Sequence, residues 1–124
     1  MKDLFEKIRF IFKKRASLSS EAFEAYYNKL PEKIAIDWFR DGKFIIGNIY
    51  ADGEKFMTQG KSVDDFIEMV NDVIFSVYEI PKEYFPLLVQ SRRYYPNEAQ
   101  LKDLQNTGLT HSKLGIQKRE LAHA

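Results

Sequence analysis

The chain has 124 residues, of which 44% are hydrophobic and 15% aromatic, and its 19 basic and 18 acidic side chains leave a net charge of +1. This length accommodates one domain and excludes a multi-domain enzyme, while the aromatic content and balanced charge exclude wholesale disorder. The chain has no cysteine, which excludes disulfides, thiolate catalysis and zinc sites with cysteine ligands. Since it contains neither a signal-peptide pattern nor an apolar stretch of about 20 residues, we expect a cytoplasmic protein.

Charged side chains are unevenly distributed along the sequence. Residues 1–16 carry six basic and two acidic groups, residues 17–60 five and seven, residues 61–90 two and six, and residues 91–124 six and three. Both ends are therefore basic and the middle is acidic. This distribution is typical either of a protein that binds a charged macromolecule or of a solvated surface whose ends neutralise its centre.

Residues 1–31 are predicted to form an N-terminal helical extension. Over residues 3–15 apolar side chains recur at helical spacing and basic ones follow, which predicts a basic amphipathic helix. Its apolar stripe consists of Leu4, Phe5, Ile8, Ile11 and Phe12. Such a helix packs on the domain or on a second subunit, and the alternative is an anionic membrane surface. A second short helix is predicted over residues 19–30, where Pro31 ends it.

Residues 33–60 predict a three-stranded antiparallel meander. Apolar and polar side chains alternate over residues 33–40 and 43–50, and Asp41-Gly42 between them is typical of a type I′ turn. Asp52-Gly53 marks a second tight turn, so residues 54–59 form the third strand.

Residues 62–78 predict the long helix that covers this sheet. Ser62 suits the N-cap position, with Asp65 three positions on able to complete a capping box. The apolar stripe that follows at i, i+3, i+4, i+7 spacing is Val63, Phe66, Ile67, Val70, Val73, Ile74 and Val77. The opposite face is acidic and carries Asp64, Glu68, Asn71 and Asp72. Met69 and Phe75 lie outside the stripe, so they belong either to a wide buried face or to a contact surface.

Beyond Pro81, residues 83–90 predict a fourth strand, and residues 97–124 predict a weakly helical tail with a short helix over residues 98–105. The predicted fold class is therefore α+β, with the order β-β-β-α-β inside residues 32–96 and the helical extension before it. A basic and aromatic patch separates the strand from the tail and consists of Arg92, Arg93, Tyr94 and Tyr95.

The sequence predicts neither an enzyme nor a metal or cofactor site. His111 and His123 lie in the predicted tail, no Gly-x-Ser-x-Gly elbow is present, and the six glycines form no phosphate-binding loop. Asp37, in the middle of a strand, is the one carboxylate that suggests a metal-dependent nuclease. Its nominal companions have local structural roles, since Asp41 and Asp52 lie in turns and Asp65 caps a helix. We therefore expect Asp37 to face solvent or to form a salt bridge.

One junction resembles a known family. The stretch Thr58-Gln59-Gly60-Lys61-Ser62-Val63-Asp64-Asp65-Phe66, with the Asp41-Gly42 turn and residues 43–50 upstream, is similar to HicB-type antitoxins over about residues 33–80. The resemblance implies a β-β-β-α-β fold related to a truncated ribonuclease H fold, and a dimer. It also implies membership of a toxin–antitoxin system, in which the antitoxin neutralises a small basic ribonuclease by covering its surface. Many members of that family carry a separate DNA-binding segment.

Two binding functions are predicted. In the first, a HicB-like antitoxin binds its basic ribonuclease through the acidic helix, whose candidate contact residues are Asp64, Glu68, Met69, Asp72 and Phe75. In the alternative, the chain is a nucleic-acid-binding, transcription-regulatory module that uses the basic C-terminal region. Its candidate contact residues are Arg92, Arg93, Tyr94 and Tyr95, and residues 98–122 suggest a helix-turn-helix. A third hypothesis is membrane association through residues 1–15.

Overall fold

The structure is a computed structural model that describes residues 21–86 and 92–120. Its elements in chain order are α1 (Glu21–Lys29), β1 (Lys33–Asp41), β2 (Phe44–Ala51), β3 (Glu54–Gly60), α2 (Val63–Val77), a 3-10 helix (Lys82–Tyr84), β4 (Arg92–Tyr94), α3 (Glu98–Gln105) and β5 (His111–Glu120). The α+β class is confirmed. The amphipathic helix predicted over residues 3–15 lies outside the described residues.

The five strands form one antiparallel sheet in the order β3-β2-β1-β5-β4. The predicted meander is confirmed, but its first turn lies one residue later than predicted. Asp41 pairs with Phe44, so the two loop residues are Gly42 and Lys43, and of these only Gly42 has a positive φ, +59°. This geometry is typical of a type II′ turn, whereas the second turn at Asp52-Gly53 has a positive φ at both residues, as type I′ requires.

One face of the sheet carries the hydrophobic core. Its centre is Ile36, Trp38 and Ile49, each at most 1% exposed, and Phe66 of α2 packs so closely on Gly47 that a side chain at Gly47 would overlap its ring. Helix α2 packs mainly on β3 and makes fewer contacts with β2 and β4. The core is completed by side chains from α1, the 3-10 helix and α3, namely Phe23, Tyr26, Tyr27, Tyr84 and Leu104.

The prediction of a fourth strand over residues 83–90 was wrong for the residues that the structure describes there. Residues 82–84 form a 3-10 helix, closed by the Tyr84 amide donating to the Pro81 carbonyl at 3.0 Å. This turn buries the Tyr84 ring against Phe23 and Tyr26 of α1, with ring centroids 6.1 and 5.4 Å apart. Residues 87–91 lie outside the described residues, and the short strand β4 begins at Arg92.

The C-terminal region is only partly helical. Helix α3 is confirmed over residues 98–105, and a capping box begins it at Asn97. The weakly helical tail predicted beyond Gly108 was wrong, because residues 111–120 form β5, which pairs with β1 from Lys33 to Phe39 and with β4. The helix-turn-helix that residues 98–122 suggested is therefore absent over residues 98–120, which the structure describes. The reason is tertiary: Leu114 and Ile116 become buried only when β1 lies beside them.

Polar side chains fix the outer elements onto this sheet. The buried Asn71 of α2 bonds to the backbone N–H and C=O of Tyr94, which holds β4 in place. Lys118 of β5 donates to the carbonyls of Tyr27 and Leu30 at the end of α1, at 3.1 and 2.9 Å. A cation at a helix C-terminus is favourable because the last carbonyls there carry partial negative charge.

Candidate functional site

The face of the sheet opposite α2 is here called the open face. Strand residues alternate between the two faces, so the register that buries Ile34, Ile36 and Trp38 sends the odd-numbered residues of β1 to the open face. Among the described residues, the large exposed hydrophobic side chains are Phe39, Tyr50, Met57 and Val77. The first three lie on the open face, which therefore carries exposed apolar side chains that the described helices leave uncovered.

These apolar side chains form a stripe across three strands, here called the apolar stripe (Phe39, Ile46, Tyr50 and Met57). Phe39 of β1 lies directly opposite Ile46 of β2, and Met57 of β3 lies opposite Asn48 of β2. Met57 is 66% exposed, Tyr50 41% and Phe39 39%. The two aromatic side chains therefore present ring surface to solvent.

Basic side chains lie beside the stripe on the same face, toward the end of the sheet where β1 begins, and we call them the basic frame (Lys33, Lys55, Arg93, Lys113 and Arg119). Their positions follow from the register. Lys55 lies opposite Tyr50, Lys113 opposite Asp37, and Arg119 opposite Arg93. The acidic residues that the described strands place on this face are Asp37 in its middle and Asp41 at the end of β1. The open face is therefore predominantly basic, although the chain as a whole is nearly neutral.

A shallow depression of about 480 Å³ lies within the open face beside Tyr50. Ala35 and Gly115, which are direct partners on β1 and β5, both line it, and Tyr50 lies opposite Ala35 on the other side. Lys33 lies across Gly115, where an added Cβ would be only 2.1 Å from the Lys33 Cε. The remaining lining residues are Ile36, Asp37, Lys113 and Leu114. The depression thus combines small residues, one ring, two ammonium groups and one carboxylate.

The residues of the basic and aromatic patch predicted at residues 92–95 do not share one surface, because strand β4 places Arg93 and Tyr94 on opposite faces of the sheet. Arg93 and Tyr95 lie together, with the guanidinium carbon 4.7 Å from the ring centroid. Tyr94 is fully buried, its hydroxyl donates to the Pro31 carbonyl, and burial raises the pKa of that hydroxyl. It cannot stack on a nucleobase, which corrects that part of the prediction. The side chain of Arg92 lies outside the described residues.

The candidate partner surface on α2 is also reduced by the structure. Asp64 and Glu68 are exposed and Asp72 is partly buried, on the side of the sheet away from the open face. Burial and then the neighbouring Glu68 carboxylate raise the pKa of Asp72 above its usual range. Met69 is half-buried, whereas Phe75 is fully buried, with its ring centroid 5.4 Å from that of Phe85. Phe75 cannot contact a partner, because its side chain fills the core.

The junction that resembles HicB-type antitoxins has a local structural role. A Cβ on Gly60 would lie 2.4 Å from the Phe66 amide nitrogen, so only glycine fits where β3 meets the first turn of α2. The Ser62 hydroxyl accepts from the Asp65 amide at 3.1 Å, and the Asp65 carboxylate accepts from the Lys61 amide at 2.9 Å. Helix capping and close packing therefore account for these residue types.

The carboxylates that would have to converge in a nuclease differ in role and position. Asp37 lies on the open face, while Asp52 accepts from the Tyr78 hydroxyl at the other side of the sheet. Burial and that hydrogen bond raise the pKa of Tyr78 to about 12. Over residues 21–86 and 92–120, no cluster of three His, Cys, Asp or Glu side chains is arranged to hold a metal ion. His111 is exposed opposite Phe39, and His123 lies outside the described residues.

Comparison of the chain with protein-family models, with curated proteins and with solved structures finds no match. Within the part of the chain that the structure describes, no helix has both the length and the apolar character needed to cross a bilayer.

Proposed function

We propose that this protein is a non-enzymatic binding module for single-stranded nucleic acid and that the open face is its binding surface. The observation that carries this proposal is the exposed apolar stripe, with Phe39 and Tyr50, beside the basic frame on the same face of the sheet. Aromatic rings stack on bases of any sequence, and cations around them bind the phosphates. The sequence also predicted nucleic-acid binding as an alternative, but it placed the contacts at residues 92–95 and not on the open face.

The spacing of the two rings suits a single strand. Tyr50 lies opposite Ala35, which is four residues before Phe39 on β1. At about 3.3 Å per residue the two rings are about 13 Å apart along the strand direction, which leaves room for a base between them. A duplex exposes only the edges of its bases in the grooves, so a sheet face with rings at this spacing favours an unpaired strand.

Fluorescence anisotropy with a labelled, mixed-sequence 20-nucleotide RNA tests this proposal, with the same sequence as single-stranded and duplex DNA for comparison. Removing one stacking ring costs about 1–3 kcal/mol, so Tyr50→Ala is expected to weaken binding roughly 5- to 100-fold. Val77→Ala is the matched control, because Val77 is exposed but lies on α2. No binding of the unmodified protein to either single strand at low salt would contradict the proposal, as would tighter binding to the duplex.

A second copy of the chain is the other occupant that an apolar sheet face can have. Sedimentation of the unmodified protein and of Met57→Glu distinguishes the two cases. If Met57→Glu dissociates a dimer and leaves RNA binding unchanged, the open face is a self-association surface and the proposed function is wrong.

We propose a second binding function for the acidic side of α2, because Asp64, Glu68 and Asp72 recur there every four residues. Like charges at i, i+4 spacing destabilise a helix, so this pattern is unfavourable for folding and suits contact with a basic protein. The partner that the HicB resemblance implies is a small basic ribonuclease. This function is compatible with nucleic-acid binding because the two surfaces lie on opposite sides of the sheet.

Co-expression with the product of the adjacent open reading frame tests this second function. The expected result is a complex with a small basic ribonuclease whose activity is inhibited. Glu68→Lys should abolish the complex, whereas Asp103→Lys, an equal charge change at an exposed position of α3, should leave it intact. A neighbour that is not a basic protein, or equal effects of the two substitutions, would contradict it.

A further inference from the structure

We propose that the depression beside Tyr50 binds one guanine base of the single strand, an inference that rests on the proposed function and specifies its ligand. Within the described part of the open face, a carboxylate, two ammonium groups and an aromatic ring line this one space together. Its volume of about 480 Å³ is within the usual range for small-molecule sites.

The shape of the depression follows from two small residues. Ala35 and Gly115 are direct partners on neighbouring strands, and Lys33 covers Gly115, so the unfilled space lies above Ala35 between the Tyr50 ring and the Lys33 side chain. A base placed there has the Tyr50 ring as a stacking surface at one side. Its sugar and phosphate reach Lys33, which extends across Gly115.

The base is identified by the hydrogen-bonding groups in the depression. An ionised carboxylate such as that of Asp37 only accepts hydrogen bonds, and it accepts two side by side. Guanine presents two adjacent donors, N1–H and N2–H, on its Watson–Crick edge. Adenine and cytosine present one donor beside an acceptor, and uracil presents one donor between two acceptors, which would face the second carboxylate oxygen.

The O6 acceptor of guanine also has a matching donor in the depression, the ammonium group of Lys113. Lys113 lies directly opposite Asp37 on the adjacent strand, so an ammonium donor and a carboxylate acceptor stand side by side. The guanine edge has the matching order, with the O6 acceptor next to the N1–H and N2–H donors. Asp37 therefore accepts from N1 and N2 while Lys113 donates to O6.

Binding of labelled 11-nucleotide RNAs that differ only at the central base tests this inference. The RNAs are oligo-uridine with guanosine, inosine, adenosine or uridine at the centre. Because a bidentate contact discriminates strongly between bases, guanosine is expected to bind about 5- to 100-fold more tightly than uridine. Inosine keeps N1–H but lacks the N2 amino group, so its affinity is expected to lie between those two.

Substitution of Asp37 provides the second measurement. Asp37→Asn introduces a donor next to the acceptor, and we expect it to reduce the preference for guanosine over uridine to less than about twofold. Asp103→Asn makes the same change of charge at an exposed position of α3 and should leave the preference intact. If Asp37→Asn fails to fold, Lys113→Met serves instead: it removes the donor to O6 and leaves the Asp37 contacts, so the preference for guanosine over adenosine should fall about 3- to 10-fold without being abolished.

The outcomes separate this inference from the function on which it rests. Equal affinity for all four RNAs would overturn the guanine site and leave single-strand binding intact, whereas no binding to any of them would overturn both. Guanosine monophosphate that binds as tightly as the guanosine-containing RNA would also overturn the inference, because the ligand would then be a free nucleotide.

Discussion

Asn71 is a buried amide in the middle of the core-facing side of α2, only 1% exposed. Its Nδ2 donates to the carbonyls of Ile67 and Tyr94, at 2.8 and 2.9 Å, and its Oδ1 accepts from the Tyr94 amide at 2.8 Å. It therefore pairs with Tyr94 as a neighbouring strand would. Helical periodicity placed Asn71 on the acidic face, and its role depends on Tyr94, which is 23 residues away.

We expect Asn71→Leu to be strongly destabilising. It would leave a buried N–H and C=O of Tyr94 unpaired, and each unpaired group costs about 1–3 kcal/mol, so the free energy of unfolding should fall by about 2–6 kcal/mol in urea denaturation. Asn28→Leu is the control, since Asn28 is exposed on α1 and should change stability by less than about 0.5 kcal/mol. Equal effects of the two substitutions would contradict the role of Asn71.

Asp72 gives the protein a pH dependence that can be measured. Its pKa is raised in the folded state above 3.8, first by burial and then by Glu68. A carboxyl with a raised folded-state pKa binds its proton more tightly when folded, so its ionisation lowers stability as pH rises through that range. Asp72→Asn should therefore raise the melting temperature at pH 7, and the gain should vanish well below pH 3.8, where both states are protonated.

The neighbouring Glu68 provides the control for this titration. In a Glu68→Gln background one of the two causes of the raised pKa is removed, so Asp72→Asn should give a smaller gain at pH 7. A gain that is unchanged by Glu68→Gln would attribute the pKa shift of Asp72 to burial alone. A melting temperature that falls on Asp72→Asn at pH 7 would contradict the sign of the effect.

At the scale of elements, the junction between β3 and α2 decides how the helix lies on the sheet. Gly60→Ala would place a methyl group 2.4 Å from the Phe66 amide nitrogen and 2.5 Å from its Cα, so backbone must move. Overpacking of this kind costs about 1–3 kcal/mol, and we expect a loss of stability in that range by thermal or urea denaturation. Gly108→Ala should have little effect, because the nearest atom there is the Asn106 side-chain oxygen at 3.2 Å.

Elements with strong local signals were predictable, and those that depend on distant partners were not. Alternation and Asp-Gly pairs identified the meander, and Ser62 with a continuous apolar stripe identified α2. Strand β5 has few apolar residues and contains Gly115, so its local pattern indicated only a weak helix. Its pairing with β1, which lies far earlier in the chain, decided its conformation.

The sequence predicted the face on which some residues of the candidate site lie, but not which residues of different strands lie together. Alternation in residues 33–50 put Asp37 and Phe39 on one side of a strand. It could not show that Lys113 lies opposite Asp37, because that contact requires the register between β1 and β5. The pairing of β4 with β5 likewise separates Tyr94, which is buried, from Arg93 and Tyr95 beside it.

At the scale of the whole molecule, the basic frame and the acidic side of α2 lie on opposite sides of the sheet. If the frame binds phosphates, affinity for single strands must fall with salt, by a slope of about −0.7 per neutralised phosphate. With about three or four phosphates bound, a plot of log affinity against log salt should have a slope of about −2 to −3.

Lys55→Ala is expected to reduce the magnitude of this slope by about 0.7, since it removes one phosphate contact from the basic frame. Lys102→Ala is the matched control, because Lys102 is an exposed cation on α3. An equal change for both substitutions, measured by anisotropy at several salt concentrations, would show that binding follows net charge and not the open face.

The amino-acid sequence by itself determined the α+β class, the meander, the capped helix α2 and the helix α3, because turns, caps and apolar periodicity act over a few neighbouring residues. Only the tertiary structure decided that residues 111–120 form a strand, that Phe75 and Tyr94 are buried, and that Asp37 and Lys113 share a surface with Tyr50. The physical reason is that these properties depend on the pairing of strands far apart in the chain, which buries one face of the sheet and leaves the other open.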